Sequence, residues 1–463
     1  CIQLGQVADA LQIYLRLITT QSEDKALRRL LARSFALSGS VDALRAQLPF
    51  EGKSAAAIAF LGTVAKDHSV IDVSIQLYDA TVGIQTGNAS YALNYAHVLE
   101  IDLRYARALS VIRNFLKANP QRAVGGVTCA AILASFPDDE VIARSWVGSA
   151  PAHSVRSTST FASGVIGETG ARLSADVGAS IEEGPNAMSD VAAAGTYDSE
   201  TLDLLALFYA AVKILFIIGC FDPLYELVPL IEPARRVREL HLTLIRNENA
   251  YYCCVAQLMA CMALPLPTAP VIYLAGDSHS LSPGWRTVQS RGQRFLISPV
   301  LVTGLKVWHL RDESDFFPKA NFHAAVKSIP DGANVIFAFG EIDCREGLLV
   351  AVERGRYTDL QEGIETVIQI YVSSMRELVK RRKFKILVHP VPPVLPQTQA
   401  TVSKFNAALK ARLEREDMLY YLDFYDGLLT EDGSFNSAYA LDGTHMHPSY
   451  LELLADVLPP LEA

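Results

Sequence analysis

The sequence predicts a multidomain protein, an all-α array of helical repeats followed by an α/β domain built as a three-layer parallel sheet. Three observations carry this. The chain has 463 residues, too many for one ordinary core and enough for roughly two or three domains. Small residues recur at helical spacing through its first third. From residue 270 onward, short β-branched runs alternate with long amphipathic segments, the pattern of strands joined by crossover helices.

In the first third, residues 1–150, the stretch from Gly5 to Tyr14 puts Ala10 where two helices would cross closely. Gly39 to Leu44 puts Ala43 in the same place, Val70 to Tyr78 puts Ser74 and Tyr78 there, and Arg104 to Ile112 puts Ala108 and Ile112 there. The interval is about 31 to 34 residues, a period at which helix pairs stack because none can bury its apolar face alone. Gln3 to Asn119 is therefore expected to form antiparallel helix pairs in a right-handed array, free of strands. The unit from Ala89 to Pro120, with Ala96 and Ala108 at the helix contacts, is similar to tetratricopeptide repeats. That resemblance implies a concave groove for a protein partner, with a plain spacer as the alternative.

Residues 151–199 are rich in Ser, Gly, Ala and Thr, as in Ser157-Thr158-Ser159-Thr160, and are expected to be a linker or loop region. Residues 200–269 return to helix pairs. Leu204 to Ile218 is strongly apolar but interrupted by Lys213, and it is shorter than the ~20 residues of a bilayer span, so it reads as a buried helix. Pro229 is expected to kink the next helix, and one or two more follow from Arg235 to Met262.

Composition narrows the function. Half the residues are apolar and a fifth charged, as in a globular protein. A net charge of -9 argues against nucleic acid as the main partner. The seven cysteines lack C-x-x-C spacing, and Cys253, Cys254 and Cys261 read as buried thiols, which favours a reducing, cytoplasmic setting. The chain begins at Cys1; a fragment is expected, with a lipid-bearing mature cysteine as the alternative. No metal or nucleotide motif is visible, so neither metal nor cofactor is expected.

Strands are expected at Val271 to Ala275, Phe295 to Val302, Asn334 to Phe339, Phe384 to Val388 and Leu419 to Leu422, with helices from Tyr357 to Arg382, Gln397 to Arg415 and Pro448 to Leu458. Gly276 breaks the first strand, so that Ser278 stands at the carboxyl edge, where open parallel sheets bind ligands. A serine hydroxyl is a weak nucleophile until a base takes its proton. The candidate base lies in Leu441-Asp442-Gly443-Thr444-His445-Met446-His447-Pro448.

Gly276-Asp277-Ser278 together with Asp442-x-x-His445 resembles the first and last blocks of the SGNH/GDSL hydrolases, across residues 270–463. The resemblance implies a flavodoxin-like sheet domain with Ser278 as nucleophile, His445 as base and Asp442 orienting the imidazole. It implies an oxyanion hole from the backbone N–H groups of Ser278 and Gly304, the latter in Leu301-Val302-Thr303-Gly304. The family's third block, Gly-x-Asn-Asp, corresponds to Gly340-Glu341-Ile342-Asp343. Ile342 replaces the asparagine and cannot donate a hydrogen bond. Each such donor is worth about 3 kcal/mol or more, and Arg345 is the nearest side chain able to substitute, unless it is an ion-pair partner of Asp343 or Glu341.

Around these stand candidate pocket residues Asp277, His279, Glu341, Asp343, His389 and His447. Asp277 is expected to bond its local backbone, His279 to point away from Ser278, and His447 to be the lesser candidate for base. Trp285, Trp308 and His309 are expected to pack in the core or on a sugar. The function expected is a serine esterase or O-acyltransferase acting on a small-molecule or glycan ester, such as an O-acetyl carbohydrate, through an acyl-Ser278 intermediate. The alternative is a weak or inactive domain in an interaction scaffold.

Overall fold

In the computed structural model, Ile13 and residues 24–38, 54–145, 197–236 and 238–461 are described. The first two recurrences of the small-residue pattern and nearly all of the Ser/Gly-rich stretch lie outside these. The helical region comprises α1 (Lys25–Ser38), α2 (Ser54–Asp67), α3 (Ile71–Ile84), α4 (Ala89–Ile101), α5 (Tyr105–Ala118), α6 (Cys129–Ala134), α7 (Asp139–Arg144), α8 (Ser199–Ile217), α9 (Asp222–Arg235) and α10 (Arg246–Ala260). Consecutive helices α2 to α5 pack on one another, with Ala96 and Ala108 fully buried between them. No strand occurs among the described residues up to Asn119.

Beyond it, Ala123–Val124 (β1) and Val127–Thr128 (β2) form a two-stranded hairpin, which the helical pattern alone did not predict. Its signal was Gly125-Gly126, both at positive φ, since a two-residue hairpin turn demands that conformation. Helix α8 is buried along almost its whole length, as its apolar run predicts. Asp198 caps it by accepting the Thr201 N–H at 2.8 Å. Pro229 and Pro233 both lie inside α9.

The sheet contains β3 (Val271–Gly276), β4 (Thr287–Ser290), β5 (Gln293–Leu301), β6 (Asn334–Ala338), β7 (Lys385–Val388) and β8 (Leu419–Tyr421). Its order is β4-β5-β3-β6-β7-β8. All neighbours are parallel except β4, which runs antiparallel to β5. The sheet is thus mixed where a parallel one was expected. The short, polar β4 carries little apolar signal, but Arg291 and Gly292 at its end both adopt positive φ, the geometry of a tight hairpin turn.

Alternating residues build two cores. Tyr273, Ala275, Val335, Phe337, Ile386 and Val388 face α11 (Phe317–Ser328), α13 (Leu360–Arg382) and α14 (Gln399–Leu413). Ile272, Leu274, Ile336 and Leu387 face the other way, toward α15 (Leu451–Val457). A short helix, α12 (Leu348–Glu353), follows the turn after β6.

The helical region and the sheet share one apolar core. Leu281, Trp285, Leu296 and Leu301 of the sheet domain pack with the residues of α8 to α10. The Trp285 indole N–H donates to the Phe216 carbonyl at 2.7 Å, and Arg29 meets Asp315 with two bonds of 2.7 and 2.8 Å. Among the described residues the cysteines are free; Cys253 and Cys254 are buried as expected, but Cys261 is exposed, its sulfur 3.1 Å from Arg286. It stands just past the end of α10, where the apolar face has run out. Among the described residues no helix is long and apolar enough to cross a membrane.

Candidate active site

Strand β3 lies at the middle of the sheet, and its carboxyl end carries the serine. A Cβ on Gly276 would stand 2.7 Å from the Ala338 carbonyl oxygen, so only glycine lets β3 and β6 approach this closely. Asp277 then caps a single 3-10 turn, Ser278–Ser280, by accepting the His279 N–H at 3.0 Å. This is the local backbone role expected of it. Ser278 is half-buried on that turn.

At the far end of the chain, Asp442 collects three donors. The N–H groups of Thr444 and His445 meet Oδ1 at 3.0 and 2.7 Å, and His445 Nδ1 meets Oδ2 at 2.7 Å. Burial pushes the carboxyl pKa up, but His445 and these donors outweigh it and hold it below the usual range. A carboxylate on Nδ1 fixes the tautomer, leaving Nε2 as the bare acceptor. That nitrogen is buried and has no hydrogen-bond partner. No hydrogen bond therefore links Ser278 to His445. Such contacts commonly close only once substrate is bound.

His279 sits against this pair, the two imidazole centroids 5.1 Å apart. Its Nδ1 lies 2.9 Å from Asp277 Oδ1 and its Nε2 3.0 Å from the Thr444 carbonyl. Both nitrogens are occupied, so His279 cannot serve Ser278 as a base. No local pattern signals this bridge, nor that of Ser282, whose hydroxyl donates to the Met446 carbonyl at 2.6 Å.

Three of the candidate pocket residues are placed elsewhere. His447 accepts the Ser449 N–H at 3.2 Å and pairs with that hydroxyl at 3.0 Å, capping the turn before α15. His389 is buried, donating Nδ1 to the Pro390 carbonyl at 2.6 Å and meeting the Tyr450 hydroxyl through Nε2 at 3.2 Å. Burial drives its pKa down to about 4, so it is a neutral core histidine. Asp343 accepts the N–H groups of Val307 and Trp308 at 2.6 and 3.2 Å. Burial, only partly offset by those donors, lifts its pKa to about 7.

Asp343 thereby anchors the segment after β5. That segment carries Gly304, exposed in a left-handed turn with open space where a Cβ would stand. A second anchor was not legible in the sequence. Asn321, fully buried on α11, accepts the Thr303 N–H at 2.8 Å and donates to the Ile101 carbonyl at 2.9 Å. The loop is thus pinned to the C-terminal end of α4.

Glu341 is buried beside Asp277 and His279, their ligating atoms within 4.8 Å of one another. Burial raises its pKa, with Arg345 and His279 pulling partly back. Arg345 Nε lies 3.6 Å from Glu341 and 3.4 Å from Glu346. Cys254, from α10, forms a second close group with Asp442 and His445. Neither group suits a cation. His279 has no free nitrogen, and burial followed by the charge of Asp442 pushes the Cys254 thiol pKa well up, so it is no thiolate.

No family model matches the chain, and no curated protein matches it. Solved structures that match include a protein from Streptococcus pneumonia named for platelet activating factor, at 13% identity and TM-score 0.30, covering 41% of this chain and 82% of its own. A protein from Bacteroides fragilis named as an acylhydrolase matches at 16% identity and TM-score 0.28, covering 42% and 88%. A GDSL-like lipase from Bacteroides thetaiotaomicron matches at 15% identity and TM-score 0.27, covering 43% and 90%.

Proposed function

We propose that the chain is a serine esterase or O-acyltransferase of SGNH type. The observation that carries this is the buried, unpartnered Nε2 of His445, whose other nitrogen is fixed by Asp442. A buried acceptor without a partner costs about 1–3 kcal/mol, a cost that suits a proton acceptor waiting for a hydroxyl. The resemblance at Gly276-Asp277-Ser278 supplies that hydroxyl.

In this reading Ser278 Oγ attacks the acyl carbonyl while His445 Nε2 takes its proton, and Asp442 stabilises the imidazolium formed. The N–H groups of Ser278 and Gly304 meet the oxyanion, with Arg345 in place of the side-chain donor that Ile342 lacks. His445 then protonates the departing alkoxide. Water, or the hydroxyl of an acceptor such as a carbohydrate, releases the acyl group from Ser278 by the reverse path. The helical repeats hold a protein partner in this account.

Hydrolysis of p-nitrophenyl acetate tests the reading. Ser278→Ala and His445→Ala are expected to abolish turnover above the solvent rate; equal turnover in both variants and the parent would overturn it. One observation favours the scaffold alternative. Arg345 is engaged by Glu341 and Glu346, as a purely structural arginine would be. Absence of turnover in the parent protein would select that alternative.

A further inference from the structure

His279 of the serine turn and Ser282 just beyond it reach across to the segment that carries His445. His279 Nε2 meets the carbonyl of Thr444 and Ser282 Oγ the carbonyl of Met446, at 3.0 and 2.6 Å. These carbonyls flank His445 on both sides. The partners of His279 also bear on its charge. A backbone carbonyl accepts only, so Nε2 must carry a proton. The Asp277 oxygen facing Nδ1 already accepts the His279 N–H at 3.0 Å, as a carboxylate does. With Asp277 ionised, both ring nitrogens donate.

We propose that His279 is a positioning residue, held as an imidazolium, which together with Ser282 clasps the His445 segment onto the turn bearing Ser278. The Asp277 carboxylate holds the proton on Nδ1, so the proton lost to solvent is the one on Nε2; the bond to the Thr444 carbonyl goes with it, and the clasp loosens. The role for turnover rests on the esterase reading, whereas the clasp and its charge do not.

The surroundings agree with that charge. Asp277 lies on its own turn, Glu341 and Arg345 come from the turn after β6, and His389 follows β7. Asp442 and His445 occupy the facing loop, and Tyr251 of α10 stands within electrostatic range of Asp277. Burial disfavours a charged imidazole, but Asp277 and then Glu341 prevail, so its pKa is raised. The pair Asp277 is correspondingly lowered. With a folded pKa above the unfolded ~6.5, the clasp is intact below that pH and is lost as pH rises through the folded value.

Ring-nitrogen NMR of the full chain labelled with 15N-histidine tests this, His279→Gln and His445→Asn providing the assignments. At pH 7 both His279 nitrogens should be protonated, and its deprotonation on the alkaline side should move the His445 signals. A singly protonated His279 at pH 7, or His445 signals indifferent to its titration, would overturn the proposal. The parent protein alone decides the charge, by the number of doubly protonated, alkaline-titrating rings, even if a variant fails to fold. In turnover of p-nitrophenyl acetate, His279→Gln should lower kcat by about 10- to 100-fold, as misplaced catalytic groups do, and abolish the alkaline fall in rate. Ser282→Ala should lower kcat but keep that fall. An alkaline fall unchanged in His279→Gln would also overturn the proposal. If the NMR result holds and the parent shows no turnover, the clasp stands and the esterase reading fails.

Discussion

The indole N–H of Trp285, at the edge of the sheet domain, donates to the carbonyl of Phe216, 2.7 Å away near the end of the buried helix α8. The ring also packs edge-on against Phe221, centroids 5.9 Å apart. Helices and sheet are thereby joined at a point where both are dry. Trp285→Phe, which leaves that carbonyl without its donor, is expected to cost about 1–3 kcal/mol. Urea denaturation followed by far-ultraviolet circular dichroism and by fluorescence should give one shared transition, and two separate transitions would contradict the joint core.

The ion pair between Lys213 and Glu100, 2.9 Å long and almost wholly buried, makes a second prediction. Removing one partner leaves a buried charge, so Lys213→Met alone should destabilise by about 3–5 kcal/mol. The double variant Lys213→Met with Glu100→Leu should recover most of that loss. Denaturation of the three proteins measures it, and additive losses would show that the pair is not coupled.

The strands show what the sequence could convey. Val271 to Ala275 and Asn334 to Phe339 were legible because strands buried on both faces are continuous apolar runs. Strand β4 was not, since an edge strand of Thr, Val, Gln and Ser carries no such run. In the site, Ser278, Asp442 and His445 stood out through local spacing. The clasp of His279 on Thr444 and the Asn321 bridge join residues 165 and 220 positions apart. Only the fold brings them together, and no local pattern encodes it.

Asp442 gives a pH prediction. Its folded pKa lies below the unfolded value of ~3.9, so its contribution to stability is present above that pH and lost as pH falls through the folded value. Asp442→Asn should lower the Tm at pH 7, and the deficit should shrink below about pH 3.9 as the parent carboxyl protonates. A deficit independent of pH between 2 and 7 would contradict the assignment of the charge to Asp442.

Ile342 and Arg345 bear on the oxyanion. Arg345→Ala is expected to reduce ester turnover by about 100-fold or more. Ile342→Asn should raise turnover by supplying a second side-chain donor. Steady-state kinetics on p-nitrophenyl acetate measure both, and unchanged rates in the two variants would remove Arg345 from the oxyanion hole.

The central claim, that Ser278 is a nucleophile activated by His445, is tested most directly by labelling with a fluorophosphonate probe and locating the adduct by mass spectrometry. The account predicts a single adduct on Ser278 in the parent protein, none in Ser278→Ala, and labelling slowed by at least about 100-fold in His445→Ala. An unlabelled parent, or equal labelling of Ser278→Ala, would contradict it.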